Sequence, residues 1–199
     1  PCGRFNRNSL VYLLNLIYYP QHVRPAHRLD ANTTGVVVLS RTAKVAAELQ
    51  PQFSSGQVRK CYLALVQGHP DGNTFECDAG ISPQPLSTGS RIVDSGGRAA
   101  RTQFTVVERR CNGTSLVRAN PLTGRTNQIR VHLWHLGFPI VGDPTYLPAG
   151  SLAANQTLGV GAPAMCLHAW LIQFRYPGSS DTVAFTAPPP IWALTGDHS

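Results

Sequence analysis

The 199-residue sequence contains no apolar run long enough to cross a membrane. A membrane-spanning helix needs roughly 18 or more consecutive apolar residues. The longest candidate covers residues 10–19, but Asn15 interrupts it and Pro20 ends it. The residues that follow lack the small-residue cleavage pattern of a secretory signal. We therefore expect a soluble protein that does not associate with a membrane.

Cysteines and acidic residues are also few. The five cysteines form no C-x-x-C pair, so the pattern indicates neither a zinc ribbon nor a dithiol redox motif and favours a reducing, intracellular compartment, cytoplasmic or organellar. Ten Asp and Glu stand against 17 Lys and Arg, which gives a formal charge of +7 and predicts an acidic partner. The cysteines are Cys2, Cys61, Cys77, Cys111 and Cys166.

Sequence signatures of cofactor and metal sites are missing as well. The chain has no Gly-rich phosphate loop, no dinucleotide fingerprint and no G-x-S-x-G turn, so we expect no nucleotide cofactor. His132 and His135 are spaced i, i+3, but no third ligand follows at a suggestive spacing. We expect them to be core or hydrogen-bonding histidines; a metal hydrolase that uses them with a carboxylate is the weaker alternative.

The hydrophobic patterning predicts one mixed α+β domain over residues 1–199, with more strand than helix. The segment 35–39 is short, apolar and β-branched, as in a central strand that is buried on both faces. In the strand 58–66, alternation places Lys60 and Tyr62 on one face. Helices are predicted over 9–19, 42–53 and 126–136, the last capped by Thr126 and ended by Gly137, and further strands over 100–107, 114–119, 166–176 and 182–186.

Two polar segments could carry chemistry. His27, Arg28 and Asp30 lie directly before the apolar run, where a carboxylate needs a cationic partner or hydrogen bonds, so Asp30 is a candidate nucleophile or general base. Alternatively, Asp30 only caps a turn. Arg125 and Arg130 lie in the second segment, at the start of a helix that can hold a phosphate or carboxylate. Five positions place the two arginines roughly 140° apart, so one can contact a phosphate while the other turns inward; the alternative is a charged surface helix.

Five motifs follow one another along the chain: H-R-L-D at 27–30 with Thr34-Gly35, K-x-Y at 60–62, T-G-R-T-N-Q-I-R at 123–130, G-F-P-I-V-G-D-P at 137–144 and L-H-A at 167–169. Together they resemble the RluA-type pseudouridine synthases, from about residue 1 to about residue 187. The resemblance implies an α+β fold with a mixed, mostly antiparallel sheet and flanking helices. It also implies isomerisation of uridine to pseudouridine in structured RNA such as tRNA or rRNA, without metal or cofactor, by a protein that we expect to be a monomer.

The same resemblance implies roles for particular residues. Asp30 is the catalytic aspartate, Tyr62 contacts the target base and Arg130 pairs with the aspartate. Arg28 guides or replaces the flipped nucleotide. Asp30 could attack the sugar at C1′ or the base at C6, or promote a glycal route, and the sequence leaves these open. The remaining candidates for substrate binding are His27, Leu29, Arg125, Asn127, Gln128 and Ile129, of which Leu29 and Ile129 supply apolar walls.

The sequence departs from the family pattern at three places. Asn127 stands where many members have histidine, and Thr33-Thr34-Gly35 replaces Thr-Ser-Gly. Members normally have a strand with a lysine-proline motif just before the segment that matches residues 1–3, and this chain lacks it. We therefore expect an exposed or incomplete sheet edge. The main alternative function is an RNA-binding or chaperone-like protein with an inactive synthase fold.

Overall fold

The computed structural model describes residue 7 and residues 9–194. Residues 1–3 of this chain, before which the family strand is expected, lie outside the described residues. The chain divides into two compact units, so the prediction of one domain over 1–199 stays a prediction. The smaller unit comprises Pro1–Leu29, Val37–Val58 and Gln173–Ala184, and the larger comprises Asp30–Val36, Arg59–Ile172 and Phe185–Ser199.

Three helices and nine strands are present among the described residues, and none of these helices has the length and apolarity to span a bilayer. In chain order they are α1 (Leu10–Ile17), β1 (Arg24–Pro25), β2 (Thr34–Gly35), β3 (Leu39–Ser40), α2 (Ala43–Ser54), β4 (Arg59–Gln67), β5 (Thr74–Cys77), β6 (Thr102–Arg109), β7 (Thr114–Pro121), α3 (Gln128–His135), β8 (Leu167–Arg175) and β9 (Thr182–Thr186). A 3-10 turn follows at Ile191–Ala193.

The smaller unit contains the first two helices, each capped by a hydroxyl. Ser9 Oγ accepts from Tyr12 N at the start of α1, and Thr42 Oγ1 accepts from Val45 N at the start of α2. Both helices were predicted, although no residue of α1 is buried and α2 continues three residues beyond Pro51. Strands β1 and β3 pair antiparallel in the same unit.

The main sheet has the order β2-β8-β4-β7-β6-β5, and β9 pairs with β8. β2 runs parallel to β8, whereas β4 with β7, β7 with β6 and β6 with β5 are antiparallel. The mixed, mainly antiparallel sheet is therefore confirmed. So are the hairpin around residues 111–113 and the alternation of β4.

The prediction of a central strand over 35–39 is wrong. This segment contributes only two-residue strands, and β2 lies at the end of the sheet order. Gly35 explains the close pairing there: its φ is 109°, and a Cβ would lie 2.2 Å from Ala169 O. An apolar, β-branched run can thus mark a close backbone approach as well as a buried strand.

Helix α3 packs with its Ile129–Leu133 face in the core of the larger unit. It ends at Gly137 as predicted: Gly137 N donates to Trp134 O, and Phe138 N donates to Leu133 O, which is a Schellman cap. The predicted N-cap is wrong. The cap residue is Asn127 rather than Thr126, and it has a left-handed backbone (φ 58°) and no capping side-chain bond.

Candidate active site

Asp30 begins the tight turn that leads into β2. Thr33 N donates to Asp30 O across this turn, and Asn32 within it has a φ of 66°, a conformation that asparagine tolerates better than most residues. The Asp30 residue is half-buried. The turn therefore presents a carboxylate at the edge of the sheet.

Contacts on both sides hold this turn in place within the larger unit. Asn32 Nδ2 donates to Gln156 O, and Leu158 N donates to Asn32 Oδ1. On the other side, Thr34 pairs in register with His168, and a 2.8 Å hydrogen bond joins Thr34 Oγ1 and His168 Nδ1. Asp30 is thus positioned by residues more than 120 positions away in the sequence.

Tyr62 lies in the middle of β4, opposite Ala119 of β7. Burial raises the pKa of its phenol far above the usual value, and the charge of Asp30 raises it further. Tyr62 and Asp30 therefore lie close enough to interact electrostatically. The phenol stays protonated at neutral pH and can donate a hydrogen bond.

Arg130 lies inside the protein, with 1% of its side chain exposed. Its Nε donates to Asp143 Oδ2 and its Nη2 to Asp143 Oδ1, both at 2.7 Å, which is bidentate geometry. Burial opposes the charge of Arg130, but the hydrogen bonds and charge of Asp143 outweigh burial and raise its pKa, with a smaller contribution from Asp30. Asp143 is therefore the carboxylate that keeps Arg130 charged and oriented.

Further contacts fix the remaining positions of the guanidinium group. Nη2 also donates to Thr145 Oγ1, Nη1 donates to Asn127 Oδ1, and the group lies 4.9 Å from the centroid of the Tyr146 ring. Four of the five N–H groups of Arg130 are engaged in this way, which leaves one Nη1 hydrogen outside the network. Asn127 is thus part of the support of Arg130.

The Gln128 side chain joins the turn before α3 to the sheet through hydrogen bonds. Its Oε1 accepts from Thr123 Oγ1 and Arg125 N, and its Nε2 donates to Arg101 O and Thr102 Oγ1. Gln128 and Ile129 are both buried. The described contacts therefore make Gln128 a support of the turn, and Ile129 packs in the hydrophobic core.

The two arginines of this segment have separate environments, as predicted. Arg130 is buried, whereas Arg125 is exposed and donates from Nε to Ala99 O. His132 is a core residue whose Nδ1 contacts Thr102 Oγ1 and whose Nε2 contacts Ala79 O. Both ring nitrogens are thus engaged by protein groups, and no metal-ligating cluster of three His, Cys, Asp or Glu exists among the described residues.

The three residues before Asp30 belong to the smaller unit. His27 Nε2 accepts from Val38 N, and its ring stacks on Phe53 at 4.8 Å. Arg28 is exposed and Leu29 is half-buried. The described contacts of His27 support its own loop.

The residue that sequence reasoning missed is Asp143. It was part of a family motif, but no role was assigned to it. A signal was present, because Asp143 is the only acidic residue between Glu108 and Asp181, and a buried arginine in this stretch needs a carboxylate. Asp30, Tyr62 and Arg130 themselves lie in one unit and interact electrostatically.

Comparisons with known proteins agree on one family. A family model described as RNA pseudouridylate synthase matches residues 5–135. The dual-specificity RNA pseudouridine synthase RluA of Pasteurella multocida is 35% identical over 171 residues, which cover 83% of this chain and 73% of that protein. The human pseudouridylate synthase RPUSD2 is 38% identical over 162 residues, 81% of this chain but only 29% of that protein.

Solved structures show the same fold. The structure of human RNA pseudouridylate synthase domain containing 1 has a TM-score of 0.74 at 28% identity, and the match covers 94% of this chain and 76% of that chain. Human RNA pseudouridylate synthase domain containing 4 has a TM-score of 0.76 at 24% identity, which supports the fold alone.

Proposed function

The chain belongs to the RNA pseudouridylate synthase family and is an RNA pseudouridine synthase, and from this premise we propose that Asp30 is its nucleophile, with Tyr62 and Arg130 as partners. The proposal is supported by the shared location of the three residues in the larger unit, where the charge of Asp30 adds to the raised pKa of both Tyr62 and Arg130. These three side chains come from a turn, a strand and a helix of the larger unit.

The reaction is an isomerisation that consumes no second substrate, but in this proposal it uses a nucleophile. The N1–C1′ bond of uridine breaks and a C5–C1′ bond forms, while the C5 proton is lost and N1 gains a proton. Attack by the Asp30 carboxylate gives a covalent intermediate that holds sugar or base during the rotation of uracil.

Arg130 supports the nucleophile in this proposal. Asp143, Asn127 and Thr145 fix its orientation, so its remaining Nη1 hydrogen is available in a defined direction. A preorganised cation near Asp30 keeps the carboxylate ionised and needs no rearrangement during the reaction. Arg130 is thereby a partner of both carboxylates, tightly bound to one and electrostatically coupled to the other.

Tyr62 supplies a ring for the extruded base and a protonated hydroxyl. Because its pKa is raised, the phenol donates a hydrogen bond to the base instead of acting as a resting-state base. A stacked uridine must leave its helix before it can reach this ring. We assign Arg28 and Leu29 to the entry of the flipped nucleotide, and Arg125 to the RNA backbone.

The test is release of tritium from RNA labelled at uridine C5, because this hydrogen leaves when C5 becomes the glycosidic carbon. We expect release with the wild type and none with Asp30→Asn, which keeps the shape of the side chain but removes its charge. Asp71→Asn, an exposed aspartate in the turn before β5, is the matched control and should retain full release.

Both pooled tRNA and pooled rRNA serve as substrates, since the bacterial relative is named for dual specificity. Normal release by a folded Asp30→Asn variant would show that the nucleophile is misassigned. RNA binding by the wild type without any release would instead favour the inactive, RNA-binding alternative.

A further inference from the structure

The larger unit contains a cavity of about 120 Å³ next to the turn that precedes α3. Three of its eight lining residues are arginines and none is acidic. The arginines are Arg91, Arg98 and Arg125, and Gly124 also lines the cavity. A small cavity with this charge is suited to an anion.

In the part of the chain that the structure describes, none of the three arginines forms an ion pair with an acidic side chain. Arg91 Nη1 donates to Ser82 O, and Arg125 Nε donates to Ala99 O, so only neutral carbonyl groups hold these side chains. Arg98 is exposed, and no hydrogen bond or ion pair engages its guanidinium group within residues 9–194. Each arginine can therefore offer N–H groups to a ligand.

Lys60 provides a second, independent observation beside Gly124, although Lys60 itself does not line the cavity. Its Nζ lies 3.5 Å from the position that a Cβ on Gly124 would occupy. Burial lowers the pKa of Lys60, and no carboxylate contributes to offset this effect. A half-buried ammonium group without an acidic partner gains stability when an anion arrives.

The cavity is linked to the proposed active site through two elements. Lys60 and Tyr62 share one face of β4, about 7 Å apart along the strand. On the other side, Tyr146 OH donates to Arg91 O and accepts from Arg91 N, while its ring contacts Arg130. A ligand in the cavity would therefore lie close to the nucleotide that occupies the active site.

We propose that Arg91, Arg98 and Arg125, with the charge of Lys60 next to Gly124, form a pocket for one backbone phosphodiester of the RNA strand that carries the target uridine. The proposal rests on the proposed function, because it names how the same site holds its substrate. Guanidinium groups match the geometry of phosphate oxygens and bind them in bidentate fashion, while the ammonium adds a point charge. The pocket would fix the position of the strand while the base is turned out.

Arg98→Gln is the sharpest variant, because Arg98 is exposed and its replacement disturbs no described bond. We expect RNA to bind about tenfold more weakly, and the slope of log Kd against log salt to fall by roughly 0.7–0.9, as for one lost phosphate contact. Arg59→Gln removes the same charge from the opposite face of β4 and should leave Kd and slope near the wild-type values.

A phosphate scan then identifies the partner group. In a series of substrate RNAs, one linkage at a time is replaced by a neutral methylphosphonate. With the wild type, we expect one linkage near the target uridine at which neutralisation weakens binding about tenfold. For Arg98→Gln, neutralising that linkage should not weaken RNA binding further, whereas neutralising any other linkage should have the same effect as with the wild type.

Two results would overturn the proposal. One is that Arg98→Gln and Arg59→Gln bind RNA equally well, and that neutralising any linkage weakens binding by Arg98→Gln as much as binding by the wild type. The other is competition by inorganic phosphate that depends on Arg98 while RNA affinity does not, which would make the pocket a site for the free ion. Because binding is measured without turnover, a missing tritium release would refute the proposed function and leave this test intact.

Discussion

Replacing Asp143 by asparagine tests whether the fold holds Arg130 through this one carboxylate. The change keeps the size of the side chain but removes the charge that faces a guanidinium group of which only 1% is exposed. It also replaces one acceptor oxygen by an amide nitrogen, which cannot accept from Arg130. A buried ion pair that loses one partner typically costs 3–5 kcal/mol, so we expect the free energy of unfolding to fall by about that amount.

Turnover should fall as well, because Arg130 is proposed to support Asp30. A displacement of about 1 Å can reduce a rate by roughly 100-fold, and we expect a loss of that order in kcat for tritium release. Urea unfolding and the release assay are measured on the same preparation, at a temperature where the variant remains folded.

Glu76→Gln is the matched control for stability. It removes the carboxylate of the ion pair with Arg101, in which both side chains are about half exposed (48% and 51%), so solvent screens the pair and its loss should barely lower the free energy of unfolding. The double variant Arg130→Met with Asp143→Leu should be less destabilised than the sum of its single variants. If Asp143→Asn were as mild as Glu76→Gln and turned over normally, the assigned support of Arg130 would be refuted.

Two further predictions concern the frame of the site. Gly35→Ala should destabilise the fold by about 3 kcal/mol or more, because the new Cβ would meet Ala169 O at 2.2 Å. Chemical denaturation measures the loss of stability, and an unchanged denaturation midpoint would contradict the close approach of Gly35 to β8. Burial lowers the pKa of His132, so the unfolded state takes up a proton first as pH falls below about 6.5, and the folded state loses stability in that window. His132→Asn should therefore reduce the pH slope of the unfolding free energy by up to about 1.4 kcal/mol per pH unit. An equal slope in both proteins would refute the assignment of this pH dependence to His132.

Much of the secondary structure could be predicted because it depends on local patterns. The alternation in β4 placed Lys60 and Tyr62 on one face, and Gly137 ended α3 through a cap that only nearby residues determine. Hydroxyl caps at Ser9 and Thr42 likewise require no distant contact.

Features that depend on distant partners were missed. The sequence of segment 35–39 is typical of a central strand. The need for glycine at position 35, however, comes from its close pairing with the backbone of β8, which lies more than 130 residues later. Asn127 rather than Thr126 is the cap: its backbone is left-handed, and its side chain bonds Tyr146, which lies 19 positions later. The role of Asp143 similarly becomes visible only when its partner is known to be buried.

The order of synthesis has a consequence for the turn that carries Asp30. This turn is held by Gln156, Leu158 and His168, at sequence separations of 124, 126 and 134 residues from their partners. A ribosome making this chain has therefore produced nearly the whole larger unit before those partners are available, and contacts of such separation form late in folding. The turn accordingly gains its full set of contacts only after residue 168 has been synthesised, so a nascent chain that ends before this residue lacks the contacts that hold the Asp30 turn.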